Sequence, residues 1–138
     1  MWKVYALLSA LFAALTAIFA KIGIKNVDSN LATAIRTSII LLLTWGIVAV
    51  SGNLSEVRTV PKYTWIFLIL SGMSTGMSWL FYFKALQLGD VSRVAPVDKL
   101  SVIFTIILAF LLLKEPATPR VLAGGLLITA GAILMMWK

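Results

Sequence analysis

Five long apolar runs joined by short polar connectors constrain this chain more than any single motif. They cover residues 2–24, 31–50, 63–88, 91–113 and 120–137. Each is close to the roughly 20 residues that, at about 1.5 Å rise per residue, cross a hydrocarbon core about 30 Å thick. The connectors carry helix punctuation. Residues 25–30 make a polar turn, residues 51–62 hold Gly52 and Pro61, Gly89 precedes Asp90, and Pro116 and Pro119 stop the fourth run. The expected fold is an all-α integral membrane protein with five transmembrane helices. Composition closes the alternative: 61% of the 138 residues are hydrophobic and 12% charged, where soluble domains have about 45–50% and about 25%. A small soluble domain hides only part of its surface, so this much apolar side chain would be left facing water. Residues 1–20 have the outline of a secretory signal, but Ile18 stands where cleavage after Ala20 requires a small residue. The first run is therefore read as a retained helix.

The chain has no Cys and no His. Thiolate and imidazole catalysis, disulfides and Cys/His metal sites are all excluded, and no enzymatic activity is expected. Lys and Arg number 12 against 5 acidic residues, but they fall singly or in pairs between the apolar runs. That scatter fits contact with lipid headgroups and the setting of topology, not a nucleic-acid partner. The expected location is the inner or plasma membrane of the cell, with multiple passes.

Aromatic residues at helix ends, Trp2, Tyr5, Tyr63, Trp65 and Trp137, form an interfacial belt. Trp45 and Trp79 lie in helix bodies instead, where a ring packs against lipid or lines a cavity. Small residues recur at helical spacing, with Gly72 and Gly76 on the third helix and Gly124 and Gly131 on the fifth. In lipid, close backbone approach holds helices together, so these four glycines are candidate helix-packing or dimer positions.

The fourth run holds the sharpest constraint. Its purely apolar part, residues 100–113, spans only about 21 Å at 1.5 Å per residue, so the helix begins near Val91. Asp98 and Lys99 then lie about 10–12 Å inside it. Each costs about 2.5–3.5 kcal/mol at the centre of a span, so both are expected to face protein or a water-filled cavity. Asp98, Ser101 and Thr105 share one helical face, and Pro96 just before them leaves that end open to kinking. A second polar stripe, Ser71, Thr75, Ser78 and Tyr82, runs along the third helix. Together the stripes point to a polar seam, although Ser and Thr hydroxyls in membrane helices also bond back to their own backbone. Lys21, Arg36 and Lys84 lie within a turn or two of helix ends, where long side chains snorkel to headgroups. With Lys99 they would also give a cavity a cationic lining. No carboxylate occurs in the first three helices, which argues against a carrier of hydrophobic cations and for a zwitterionic or anionic solute.

Several segments carry a family resemblance. Ala20-Lys21-Ile22-Gly23 closes the first helix and Arg36 opens the second. Tyr82-Phe83-Lys84-Ala85-Leu86-Gln87-Leu88-Gly89 continues into Val91-Ser92-Arg93-Val94-Ala95-Pro96. Leu111-Leu112-Leu113-Lys114-Glu115-Pro116 precedes Gly124-Gly125-Leu126-Leu127-Ile128-Thr129-Ala130-Gly131. In this order and spacing the chain resembles a single EamA domain of the drug/metabolite transporter superfamily. The resemblance implies a carrier of small metabolites such as amino acids, with a central cavity and no metal or organic cofactor. The usual member carries two such domains in tandem, so the second half is expected from another chain.

An odd number of helices puts the two ends on opposite sides of the membrane, and an inverted second copy builds the two-fold symmetry of many transporters. The topology signal is nearly balanced. Lys3, Arg58, Lys62, Lys114 and Arg120 lie on one side, against Lys21, Lys25, Lys84, Arg93 and Lys138 once Arg36 and Lys99 are taken as intramembrane. The expectation is a dual-topology, antiparallel homodimer of ten helices, or a pair with an oppositely oriented paralogue. Such a carrier works by alternating access. Asp98 is its candidate proton or amine site, Lys99 and Arg36 its carboxylate partners, and Trp45, Trp79 and Tyr82 its apolar walls. The alternatives are a non-transporting membrane assembly subunit and half of a heterodimeric exporter of the small-multidrug type.

Overall fold

The computed structural model describes residues 1–137, and its elements are helical. They are α1 (Trp2–Gly23), α2 (Ser29–Val50), α3 (Lys62–Leu88), α4 (Val91–Asp98), α5 (Ser101–Leu112) and α6 (Pro119–Met136), with a 3₁₀ turn at Asn53–Thr59 in the longest connector. α4 and α5 together make one span, Val91–Leu112, so the described residues hold five candidate membrane spans. The all-α, five-span fold follows from the sequence pattern.

Local chemistry sets the helix ends. α2 starts at Ser29 because the Asp28 carboxylate accepts from the N–H groups of Asn30 at 2.9 Å and Leu31 at 3.1 Å, satisfying two orphan donors of the first turn. At α6, Thr118 accepts from the Val121 N–H at 3.4 Å. Pro119 takes the first helical position, where its missing N–H costs nothing. The proline that ends one span therefore opens the next. After α5, Lys114 adopts φ 55 and turns the chain so that the Glu115 N–H reaches the Ala109 carbonyl at 3.2 Å.

The fourth span, expected over residues 91–113 with its start open to kinking at Pro96, is broken just past that proline into two helices. Pro96 offers no N–H and its ring crowds the carbonyl of Ser92, four residues back. Just beyond it, the N–H groups of Lys99, Leu100, Val102 and Ile103 bond to carbonyls three residues back at 3.0–3.1 Å. This 3₁₀ step separates α4 from α5 at Lys99 and Leu100.

The chain forms two compact units. One comprises Met1–Ile18 and the chain from Leu88 onward, with α4 and α5 both packed on α6. Its tight approach is at Gly125, which is buried: a Cβ there would stand 2.6 Å from Ile106 Cδ1. The other unit, Phe19–Gln87, joins the end of α1 to α2 and α3. Its buried residues, Ile24, Ser29, Thr33, Phe83 and Leu86, lie near the end of α1, the start of α2 and the end of α3. Two side chains clasp that end reciprocally. Lys21 on α1 donates to the Leu86 carbonyl in the last turn of α3. Gln87 on α3 donates to the carbonyls of Val27 at 2.6 Å and Ile24 at 3.4 Å, just past α1. Each helix thus supplies a donor to carbonyls at the end of the other. Most large apolar side chains of both units are exposed. Lipid tails solvate such a surface, while the backbone groups are satisfied within the helices.

Candidate functional site

In the second unit, Arg36 on α2 packs against α3. Its guanidinium carbon lies 4.1 Å from the centre of the Trp79 ring and 5.1 Å from that of Phe83. Trp79 and Phe83 are four residues apart on α3 and so share one face. Phe83 is buried, which fixes one side of this aromatic bracket. The attraction is that of a cation for the electron-rich ring face, about 0.5–1 kcal/mol at exposed sites and about 2 where desolvated. Arg36 lies seven residues into α2, about 10 Å along the axis at 1.5 Å per residue. No Asp or Glu occurs in α1, α2 or α3. Among the described residues Arg36 makes no ion pair, and its guanidinium stands against the two ring faces.

In the first unit, Asp98 and Lys99 stand at the 3₁₀ step, about 10 Å into the fourth span at 1.5 Å per residue. Lys99 Nζ meets Asp98 Oδ2 at 3.1 Å, with the two side chains 56% and 38% exposed. The pair is therefore mutually neutralised but open to approach. Ser101, three residues after Asp98, opens α5. The Thr105 hydroxyl donates to the Ser101 carbonyl at 2.9 Å. Its proton is thereby spent and its lone pairs remain, so it faces a ligand as an acceptor.

The α3 stripe behaves in the same way at one position, where Thr75 donates to the Ser71 carbonyl at 2.8 Å. Ser71 and Ser78 are exposed, and Tyr82 is half-buried beside the Arg36 bracket. Trp45 is 45% exposed in the body of α2, apart from that bracket. A Cβ at Gly72, Gly76, Gly124 or Gly131 would meet nothing within 4 Å, and the close approach within the first unit falls at Gly125 instead. Lys21, another expected snorkeller, turns inward onto Leu86, whereas Lys84 is exposed. Two participants escaped the sequence reading. Phe83 was legible as the partner of Trp79 at four-residue spacing on α3. Gln87 carried no local signal, because its acceptors lie 60 and more residues away. Among the described residues no three acidic side chains gather as a metal would require.

Five apolar spans, two of them holding charged groups about two turns inside, define a multi-pass membrane protein. The chain belongs to the EamA-like transporter family, which it matches over residues 1–137. It is 49% identical over 134 residues to a Sinorhizobium protein named as an uncharacterized transporter in the cobO 3′ region; the match covers 97% of this chain and 95% of that one. No solved structure matches the chain.

Proposed function

We propose that this protein is a secondary carrier of small, amino-acid-like metabolites bearing a carboxylate, zwitterionic or anionic, in the inner or plasma membrane of the cell. Membership of the EamA-like transporter family supports transport. The observation that carries the solute class is Arg36, a cation about 10 Å inside a span, stacked on Trp79 and Phe83 in a unit whose membrane spans contain no carboxylate. A positive charge there repels cationic solutes and attracts carboxylates, and the low dielectric around it strengthens both effects.

Two inverted copies alternating their access would complete the carrier, because five spans leave the two ends of the chain on opposite sides. Labelling of cysteines introduced near Asn53 and Gly89 tests this arrangement. Labelling of each site from both sides of the membrane is expected, and a single orientation of all copies, with no partner protein, refutes the antiparallel homodimer.

The purified protein in vesicles tests the solute class. Flux of labelled amino acids and organic acids is expected, falling at least tenfold in Arg36→Gln, which in turn admits cationic compounds. Arg36→Lys retains the charge but loses the planar N–H fork, so it should keep cations out while weakening carboxylate binding. Undiminished carboxylate flux in Arg36→Gln refutes the reading.

A further inference from the structure

We propose that the Asp98–Lys99 pair is the docking site for a zwitterion with its ammonium and carboxylate on the same or neighbouring carbons, and that each residue stands in for one end of the solute while the protein is empty. On loading, the solute ammonium takes the Asp98 carboxylate and the solute carboxylate takes the Lys99 ammonium. This rests on the carrier reading above and goes beyond it by naming the charge pattern that the fourth span recognises.

Three observations carry it. First, the pair is complete in itself. Asp98 and Lys99 are chain neighbours joined at 3.1 Å, and no other ion pair among the described residues involves either. A lone Asp or Lys inside a span costs about 2.5–3.5 kcal/mol. A purely cationic solute would capture Asp98 and strand Lys99, and a purely anionic one would do the reverse. A zwitterion strands neither, because one internal pair is exchanged for two pairs with the solute. The net charge of the span is then the same loaded and empty, so neither state crosses with an uncompensated charge.

Second, the pair is reachable, since its side chains are 38% and 56% exposed, unlike a buried structural bridge. Third, the face beside Asp98 is built of acceptors. Ser101 and Thr105 follow Asp98 by three and seven residues, the spacing of one helical face, and Thr105 has spent its proton on the Ser101 carbonyl at 2.9 Å. An ammonium carries three donors, so this face offers it lone pairs in addition to the carboxylate.

Charge-neutral and charge-reversed double variants of the full-length protein test the proposal. The probes are neutral amino acids, their amides as cation-only analogues and their N-acetyl derivatives as anion-only analogues. Binding is read as thermal stabilisation in detergent, and flux is read in vesicles. The wild type is expected to bind its preferred zwitterions at least tenfold more tightly than either analogue. D98N/K99Q strands no charge and folds, but loses that preference. D98K/K99D has both charges in reversed order and retains it. Single neutral variants lose it and shift toward the analogue that matches the remaining charge. The proposal is overturned if D98N/K99Q binds zwitterions as the wild type does, or if the wild type binds none of the probes or favours an analogue. Flux of anionic metabolites without zwitterion binding also overturns it, while leaving the carrier reading intact. Pair-dependent zwitterion binding without flux supports the docking site and removes the carrier reading.

Discussion

Replacing Lys21 by Met is expected to loosen the closed end of the second unit by about 1–2 kcal/mol. Lys21 donates to the Leu86 carbonyl, and Leu86 is 0% exposed, so water is not at hand when the ammonium is removed. A hydrogen bond from a charged group contributes about 1.5–3 kcal/mol. Because Lys21 is itself half-buried, solvent screening reduces that contribution to about 1–2 kcal/mol. Gln87→Leu removes a good bond of 2.6 Å to Val27 and a marginal one of 3.4 Å to Ile24. Its expected cost is about 1 kcal/mol. Both residues hold the same two helix ends together, so the double variant should fall short of the sum by about 0.5–1 kcal/mol. Lys21→Arg keeps a charged donor and should recover most of the loss. Denaturant unfolding in detergent micelles, followed by circular dichroism, reads all four differences. The clasp is refuted if Lys21→Met unfolds with the wild type, or if the two single effects add fully.

Two further predictions concern backbone and packing. Gly125→Val should lower the unfolding temperature, since even a Cβ there stands 2.6 Å from Ile106 Cδ1 and two more methyl groups overpack α5 against α6 at a cost of about 1–3 kcal/mol. Gly124→Ala meets nothing within 4 Å and should be neutral or stabilising, with Ala favoured over Gly in a helix by about 1 kcal/mol; equal effects at the two glycines refute the packing assignment. Lys114→Gly should stabilise the end of α5 by up to about 1 kcal/mol, because φ 55 is a conformation that disfavours side chains. An unfolding midpoint below that of the wild type contradicts this.

Much of the architecture was legible from the residues because it depends on local quantities. The five spans follow from run length and hydropathy. The shortness of the apolar run after Lys99 placed Asp98 and Lys99 inside the fourth span, and Pro96 marked where that span would yield. The stripes were legible as faces, and bonding of their hydroxyls back to the helix was one of the outcomes the sequence allowed. Thr75 and Thr105 bond to their own helices, a choice decided by rotamers and not by spacing. For Lys21 and Arg36 the sequence left two outcomes open for a related reason. A long cationic side chain near a helix end reaches headgroups or a neighbouring helix with equal ease, and only the neighbour decides between them.

The sequence by itself determined the number of crossings and the depth of each charge, because rise per residue and membrane thickness convert position directly into depth. Tertiary structure alone decided the partners. It turned Arg36 onto Trp79 and Phe83, brought Lys21 and Gln87 to carbonyls 60 and more residues away, and chose Gly125 over its neighbours for close packing. Those outcomes depend on how each helix is rotated against the next. Van der Waals fit and capping set that rotation in lipid, and no single helix carries a record of it.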